Sequence, residues 1–224
     1  MKKLFIGAIA LASIGAHASE VTTSVAATSD YVWRGQSQTG HNAAVQGTFE
    51  YAMKGFTLGA WTSSLNGDAR GTEVDIYASY THAFSKVTSL SVGVTNYVYT
   101  KDSNQNTMEY SLTLDCHGYG LLAAYTDDYF NADSSSMYFN LNKGFELSKK
   151  HNLGLSLALG YTTYDDEKKV GSENYLDYKV AFTRTVGKMD YEFFYTDTDR
   201  KTLSGTTSTD TKDSALGAML TFNM

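Results

Sequence analysis

Residues 215–224 read Ala-Leu-Gly-Ala-Met-Leu-Thr-Phe-Asn-Met, and this closing segment decides the fold. Successive side chains of an extended strand point to opposite faces, so the segment divides into two rows. The apolar row consists of Leu216, Ala218, Leu220, Phe222 and Met224. The other row is mostly small or polar and includes Ala215, Gly217, Thr221 and Asn223. The pattern predicts a strand with one face toward an apolar medium and the other toward water.

The same alternation repeats in short segments from residue 21 to the end of the chain. We predict twelve strands, at 21–33, 42–54, 56–64, 72–83, 88–100, 107–116, 118–127, 134–147, 151–164, 173–186, 188–199 and 213–224. The chain contains no proline, as expected where nearly every backbone N–H must donate to a ladder. These features are typical of an all-β, antiparallel up-and-down barrel that crosses an outer membrane with its strands.

The links between the predicted strands are short and long in turn. The links after even-numbered strands are tight, as at Lys54-Gly55, whereas those after odd-numbered strands are longer and polar, as at 200–212. Outer-membrane barrels have short periplasmic turns and longer extracellular loops, so both termini are predicted to be periplasmic. No linker or shift in composition divides residues 19–224, which we interpret as one barrel.

The start of the chain has the pattern of a secretory signal. Lys2 and Lys3 precede an apolar run at 4–14, and Ala16-His17-Ala18 is a small-x-small cleavage site. We therefore expect residues 1–18 to be removed and the mature chain to begin at Ser19. The predicted location is the outer membrane of a Gram-negative bacterium.

The charge of the chain limits its partners. The formal net charge is −6 at pH 7, and it becomes −8 once Lys2 and Lys3 are removed with the signal. An acidic exported chain is not expected to bind nucleic acid. The expected partners are outer-membrane lipid, the barrel-assembly machinery during insertion, and small solutes or cations.

One segment points to a known family. Residues 28–39 read Thr-Ser-Asp-Tyr-Val-Trp-Arg-Gly-Gln-Ser-Gln-Thr, followed by Ala-Val-Gln-Gly at 44–47 and Glu-Val-Asp-Ile-Tyr-Ala at 73–78. Together they resemble the TorF-type porins, a family of proteobacterial outer-membrane proteins long known as conserved hypothetical proteins. The resemblance implies an outer-membrane barrel with channel activity and no defined substrate. The chain departs from the family pattern at Gln36, where an apolar residue is expected. It also ends in Met224, where barrels usually end in an aromatic residue.

Separating the two rows gives candidate pore-lining residues. We assign the apolar row to lipid, which puts Val21, Val25, Tyr31 and Trp33 of the first predicted strand outside. The opposite row contains the pore-lining candidates Asp30, Arg34, Glu50, Glu73, Asp75, Glu109, Asp115, Asp177, Lys179, Asp190 and Glu192. These are nine acids and two bases. They indicate a cation-favouring pore, or alternatively a wet interior whose acids are merely solvated.

Arg34 carries the most specific prediction among these candidates. Its guanidinium can bridge two carboxylates. We expect it to pin the extracellular constriction by pairing with Asp30 and with one or more of Glu73 and Glu109. Lys143 falls in the apolar row and is expected near the periplasmic rim, because a charge at mid-membrane costs about 2 to 4 kcal/mol.

No residue pattern indicates catalysis or a cofactor. Three histidines are predicted near the periplasmic end, namely His82, His117 and His151, and His41 is predicted near the extracellular end. None has a serine motif beside it, as a catalytic triad would need. Asp127-Asp128 and Asp165-Asp166-Glu167 fit solvated loop charge or a loop calcium ion. We expect no metal site and no enzyme. Three hypotheses stay open, namely a narrow diffusion channel, a closed barrel that acts through its loops, and a membrane-embedded hydrolase.

Overall fold

The computed structural model describes residues 19–66, 68–205 and 207–224. The predicted signal, residues 1–18, lies outside the described residues. Within those ranges the strands are β1 Glu20–Thr28, β2 Val32–Trp33, β3 Gln36–Ser37, β4 Ala44–Met53, β5 Phe56–Ser64, β6 Thr72–Ala83, β7 Thr88–Tyr99, β8 Thr107–Cys116, β9 Tyr119–Thr126, β10 Ser136–Ser148, β11 Leu153–Tyr164, β12 Tyr175–Val186, β13 Met189–Thr198, β14 Lys201–Ser204, β15 Thr207–Asp210 and β16 Ala215–Asn223. A short 3-10 turn, Ser103–Gln105, and one helical turn, α1 Glu167–Val170, lie in loops.

Twelve of the strands described above close an antiparallel barrel. Their order around it is β1-β4-β5-β6-β7-β8-β9-β10-β11-β12-β13-β16, and β16 pairs back with β1. The closing register aligns Val25 with Phe222 and Thr28 with Met219. The predicted fold class is therefore confirmed. Closure leaves no sheet edge among these strands, as a spanning sheet requires in lipid.

The barrel is apolar outside and polar inside. Outward side chains such as Leu216, Phe193 and Val45 are 85%, 62% and 62% exposed, and the apolar row predicted for residues 215–224 faces outward. Inward positions hold buried polar groups such as Thr57 and Ser156. Of the parts of the chain described, no helix is both long and apolar enough to cross a bilayer.

The two ends of the barrel differ. At the turn end, the connections are short and lie at 54–55, 84–87, 117–118, 149–152 and 187–188. The first residue of β1 and the last residue of β16 are also at this end. At the loop end, longer connections contain the β2–β3 hairpin, the β14–β15 hairpin and α1. Lys143 reaches the turn end, where its Nζ donates to the carbonyl of His117 at 2.9 Å. The turn end is the one that the sequence predicts to be periplasmic.

The first strand is shorter than its sequence pattern predicts. We expected strand 21–33, but β1 ends at Thr28. There the Thr28 Oγ1 donates to the carbonyl of Asp30 at 2.7 Å, a local side-chain bond that turns the chain. The apolar alternation continues to Trp33, yet the chain now runs into the barrel. The predicted loop 200–212 likewise contains a hairpin, β14–β15.

Candidate functional site

The loop between β1 and β4 folds into the barrel as a hairpin, which we call the inward hairpin (residues 29–43). Its strands β2 and β3 pair Val32 with Ser37 and Trp33 with Gln36. The two residues between them, Arg34 and Gly35, both have positive φ, at 47° and 73°. A two-residue turn of this kind suits the twist of a hairpin and favours glycine.

Arg34 lies at the tip of the inward hairpin and is held on three sides. Its Nη2 donates to Glu109 Oε2 at 2.5 Å, and the two side chains are 6% and 10% exposed. The guanidinium carbon is 4.2 Å from the ring centroids of both Trp33 and Tyr138. An arginine between two aromatic faces is stabilised by cation–π attraction in addition to its ion pair. Arg34 is thus a buried anchor rather than a solvated rim charge.

The tip of the inward hairpin contacts the barrel wall at β12. The Gln36 amide donates to the Tyr175 hydroxyl at 2.6 Å, and that hydroxyl donates to the Arg34 carbonyl at 3.2 Å. A Cβ atom on Gly35 would lie 2.6 Å from the Cβ of Asp177, closer than real side chains approach. The position therefore needs glycine for its close approach as well as for its φ.

The base of the inward hairpin is closed by Asp30. Its carboxylate accepts from Ser37 Oγ at 2.6 Å and Thr39 Oγ1 at 3.0 Å, and it lies 2.8 Å from His41 Nδ1. The other ring nitrogen of His41 is 3.1 Å from Asp213 in the last loop. We predicted that Asp30 would pair with Arg34, and this is wrong. The hairpin turns Arg34 away from its base, so Asp30 closes the loop while Arg34 contacts Glu109.

Aromatic side chains pack one flank of the inward hairpin. Tyr31 lies 5.2 Å from Trp61, and Trp33 lies 6.1 Å from Tyr97 and 5.7 Å from Phe130, all measured between ring centroids. We expected Tyr31 and Trp33 to face lipid, and this is wrong. Tyr31 is only 6% exposed, because the chain leaves the wall after Thr28 and the alternation of a strand no longer applies.

The other flank of the inward hairpin is also packed. Val32 contacts an apolar cluster of Ala181, Phe194 and Ala215 on the inner wall. The hairpin consequently touches the wall on both sides and occupies the lumen at its level. This plug was not expected from the sequence. The only signal was that aromatic residues accompany the turn dipeptide Arg34-Gly35.

Three further candidates lie at the level of the hairpin and are nearly buried. Glu73, Asp75 and Asp177 are 2%, 7% and 6% exposed. Glu73 accepts a bond from the Tyr99 hydroxyl and Asp177 one from the Tyr138 hydroxyl, both at 3.3 Å. Among described residues, one oxygen of each carboxylate has no hydrogen-bond partner, namely Glu73 Oε2, Asp75 Oδ1 and Asp177 Oδ2.

The remaining candidates line the half of the lumen near the turn end. Lys179 Nζ pairs with Glu192 at 2.6 Å. Glu50 accepts from the Tyr77 hydroxyl at 2.7 Å. Asp190 accepts from Thr185 Oγ1 at 2.5 Å and from the Asn223 amide at 2.7 Å. Asp115 lies on the inward row of β8 and forms no ion pair with another described residue.

The two inward bases are thus each paired with one acid. Of the nine acids, Glu109 and Glu192 are the two that pair with these bases. The other seven have no lysine or arginine partner among the described residues, and Asp30 among them pairs with a histidine. These seven are Asp30, Glu50, Glu73, Asp75, Asp115, Asp177 and Asp190. In the described part of the chain, no group of three or more His, Cys, Asp and Glu side chains could hold a metal ion.

Sequence reasoning missed the aromatic residues that hold the hairpin. Tyr97, Tyr138 and Tyr175 sit on inward rows and touch Glu109 or Arg34 through their rings or hydroxyls. An aromatic residue in an otherwise polar row is a signal that could have found them. Trp61, which faces opposite the apolar row of β5, is the clearest instance.

The fold is shared with solved outer-membrane proteins. A structure of the NanC porin matches with a TM-score of 0.64 at 9% identity, over 89% of this chain and 98% of that one. An outer-membrane channel from Pseudomonas putida F1 matches at 0.53 and 12% identity, over 94% and 96%. The outer membrane channel DcaP of Acinetobacter baumannii matches at 0.53 and 12% identity, over 92% and 97%. At these identities the likeness is one of fold.

Sequence comparison defines the family more closely. No curated protein matches the chain significantly. The TorF-type name suggested by residues 28–39 stays a prediction. A family model does match residues 12–222, which is most of the chain. This protein therefore belongs to the family of bacterial proteins of unknown function called Gcw_chp.

Proposed function

We propose that this protein is an outer-membrane channel for passive diffusion of small solutes, exported by a signal cleaved before Ser19. The observation that carries the proposal is the closed barrel with an apolar outside and a polar, acidic inside. The three solved structures of similar fold, a porin and two outer-membrane channels by name, support it. In this orientation the loop end is extracellular and the turn end, with both termini, is periplasmic.

The channel favours cations. Seven inward acids without a lysine or arginine partner attract cations and repel anions. The Debye length is about 10 Å at 0.1 M salt, which is comparable to the radius of a narrow lumen, so the fixed charges act across the whole passage. The inward hairpin sets the narrowest section, where Arg34 partly offsets the acids.

A second candidate function is a closed barrel that acts through its loops as a structural or surface-interaction protein. The packing of the inward hairpin against both walls favours it, since Val32 and Trp33 contact opposite sides. Under this hypothesis the hairpin is a permanent plug. Under the channel hypothesis the hairpin is a constriction, and a path for water beside it is either always open or opens when the hairpin moves.

Single-channel recording separates the two functions. Refolded protein in a planar bilayer with a KCl gradient is expected to give discrete conductance steps and a cation-selective reversal potential. An anion-selective potential would contradict the charge argument but not the channel. Absence of steps from protein that is shown to be folded would favour the closed barrel.

A matched control tests the lumen assignment. Glu50→Gln and Asp115→Asn remove inward acids of the turn-end half, and each should shift the reversal potential toward zero. Glu173→Gln, which removes an acid outside the barrel wall, should leave it unchanged. Equal shifts in all three variants would mean that the lumen charges do not set selectivity.

A further inference from the structure

Glu73 and Asp75 form an acidic pair, and neither carboxylate forms an ion pair with a described lysine or arginine. They are neighbours on the inward row of β6 and are 2% and 7% exposed. Asp75 Oδ1 and Glu73 Oε2 accept no hydrogen bond from any described residue. Because a buried charge without a partner is costly, the pair calls for a bound positive charge or for protonation.

Two arginines near the pair form their ion pairs with other acids, although Arg70 also attracts Glu73 electrostatically. Arg34 binds Glu109. The guanidinium of Arg70 donates to both oxygens of Asp68 and to the Gln38 side chain. The charged groups that act on the Asp75 carboxylate are acids, Glu73 and Glu109. No described lysine or arginine therefore neutralises Asp75.

The Tyr31 side chain of the inward hairpin lies beside the same pair. Its ring is 5.2 Å from that of Trp61, and Trp61 is the cross-strand neighbour of Asp75. Tyr31 is 6% exposed and packs in one cluster with Tyr99, whose hydroxyl donates to Glu73 at 3.3 Å. The site offers up to four carboxylate oxygens and one phenol oxygen, and no nitrogen or sulfur.

This donor set selects the kind of ligand. Oxygen-only sites suit hard cations, and one divalent ion balances two carboxylates. Ca²⁺ accepts variable geometry and completes its shell with water, whereas Mg²⁺ demands near-ideal octahedral geometry. We propose that Glu73, Asp75 and the Tyr31 hydroxyl bind one divalent, oxygen-preferring cation of the Ca²⁺ type between β6 and the inward hairpin.

The ion would tie the inward hairpin to the wall. Tyr31 belongs to the hairpin, while Glu73 and Asp75 belong to β6, so a shared ion joins the two. The site goes beyond channel function, because binding does not depend on whether the barrel conducts. Occupancy should therefore slow backbone exchange in the hairpin.

Terbium luminescence tests the site with the folded full-length mature protein in detergent. Trp61 is the cross-strand neighbour of Asp75, and Trp33 and Trp61 are the two tryptophans of the chain. Tb³⁺ bound there is expected to emit on tryptophan excitation and to be displaced by Ca²⁺. Saturable emission that Ca²⁺ displaces supports the proposal, and its absence from the wild-type protein overturns it.

Three variants connect the signal to the residues. Asp75→Asn and Glu73→Gln keep side-chain shape and should each weaken Tb³⁺ binding about tenfold or more, since affinity follows ligand charge. The control Asp115→Asn removes an inward acid near the turn end and should bind as the wild type does. Wild-type affinity in Asp75→Asn, or an equal loss in Asp115→Asn, would overturn the proposal.

A second measurement covers altered folding. Ca²⁺ should raise the heat-unfolding midpoint of the wild-type barrel through binding to the folded state. The midpoint of Glu73→Gln and Asp75→Asn should not respond to Ca²⁺. A response of equal size in these variants would show that calcium binds elsewhere and would reject the site.

Discussion

Arg34 joins the inward hairpin to the far wall through a buried charge pair. Arg34→Ala leaves Glu109 buried without its cation, a change that costs about 3 to 5 kcal/mol when a buried pair is broken. We expect the barrel to stay folded, because its twelve strands do not need this contact. Conductance should rise as the hairpin loosens, and the reversal potential should become more cation-selective.

Arg184→Ala is the matched control for Arg34→Ala. Arg184 is exposed on the outward row of β12, so its removal changes the net charge equally but not the lumen. Arg34→Lys should give an intermediate result, because an ammonium cannot make the same stacked, forked contacts. Unchanged conductance in Arg34→Ala would mean that the guanidinium does not hold the constriction.

Gly35 is the point of closest approach between the hairpin and the wall. Gly35→Ala adds a Cβ that would meet Asp177 Cβ at 2.6 Å and Thr198 Cβ at 3.2 Å. Positive φ adds about 1 to 2 kcal/mol for a residue other than glycine. The variant should displace the tip and raise conductance. Gly187→Ala has the same strain, at φ 61°, with no atom within 4 Å of the added Cβ, and should conduct as the wild type does.

At the scale of the element, the inward hairpin depends on Asp30 for its closure. Asp30→Ala removes the acceptor of Ser37 and Thr39 and the partner of His41. Bonds to charged groups contribute about 1.5 to 3 kcal/mol each, and a loss of about 3 kcal/mol corresponds to roughly a hundredfold faster local opening. Hydrogen exchange of residues 29–43 should accelerate by that factor, while the barrel strands keep their protection.

Asp190→Ala serves as the control for the hairpin. Asp190 also accepts two side-chain bonds, but at the turn end of the barrel. Its loss should leave exchange in residues 29–43 unchanged. Equal protection of the hairpin in the wild type and in Asp30→Ala would mean that packing of Trp33 and Val32, and not Asp30, holds it.

At the scale of the whole molecule, the closed ladder of twelve strands predicts unusual resistance to unfolding. Purified mature protein should show a β-dominated circular dichroism spectrum and migrate differently on gels with and without boiling. It should also fractionate with outer membranes, because its outward face is apolar. Recovery of most of the protein in the soluble periplasmic fraction would contradict the membrane assignment.

Much of the barrel could be predicted from local pattern. The two rows of residues 215–224, the short turns and the position of Lys143 follow from strand periodicity and the cost of placing charge in an apolar medium. The candidate site was predicted less well. Arg34 contacts Glu109, one of its expected partners, whereas Asp30 contacts His41. Tyr31 and Trp33 lie inside, although their alternation indicated an outward face.

The sequence by itself determined the fold, because alternation is a property of neighbouring residues and each strand carries it independently. Only the tertiary structure decided where the chain leaves the wall. The hairpin is held in place because Arg34 pairs with Glu109 and lies over the Tyr138 ring, and because Gly35 packs closely against Asp177. These partners are distant in sequence, and each is available only after the barrel closes. Strand periodicity contains no information on such contacts, so the position of the constriction depends on the tertiary structure.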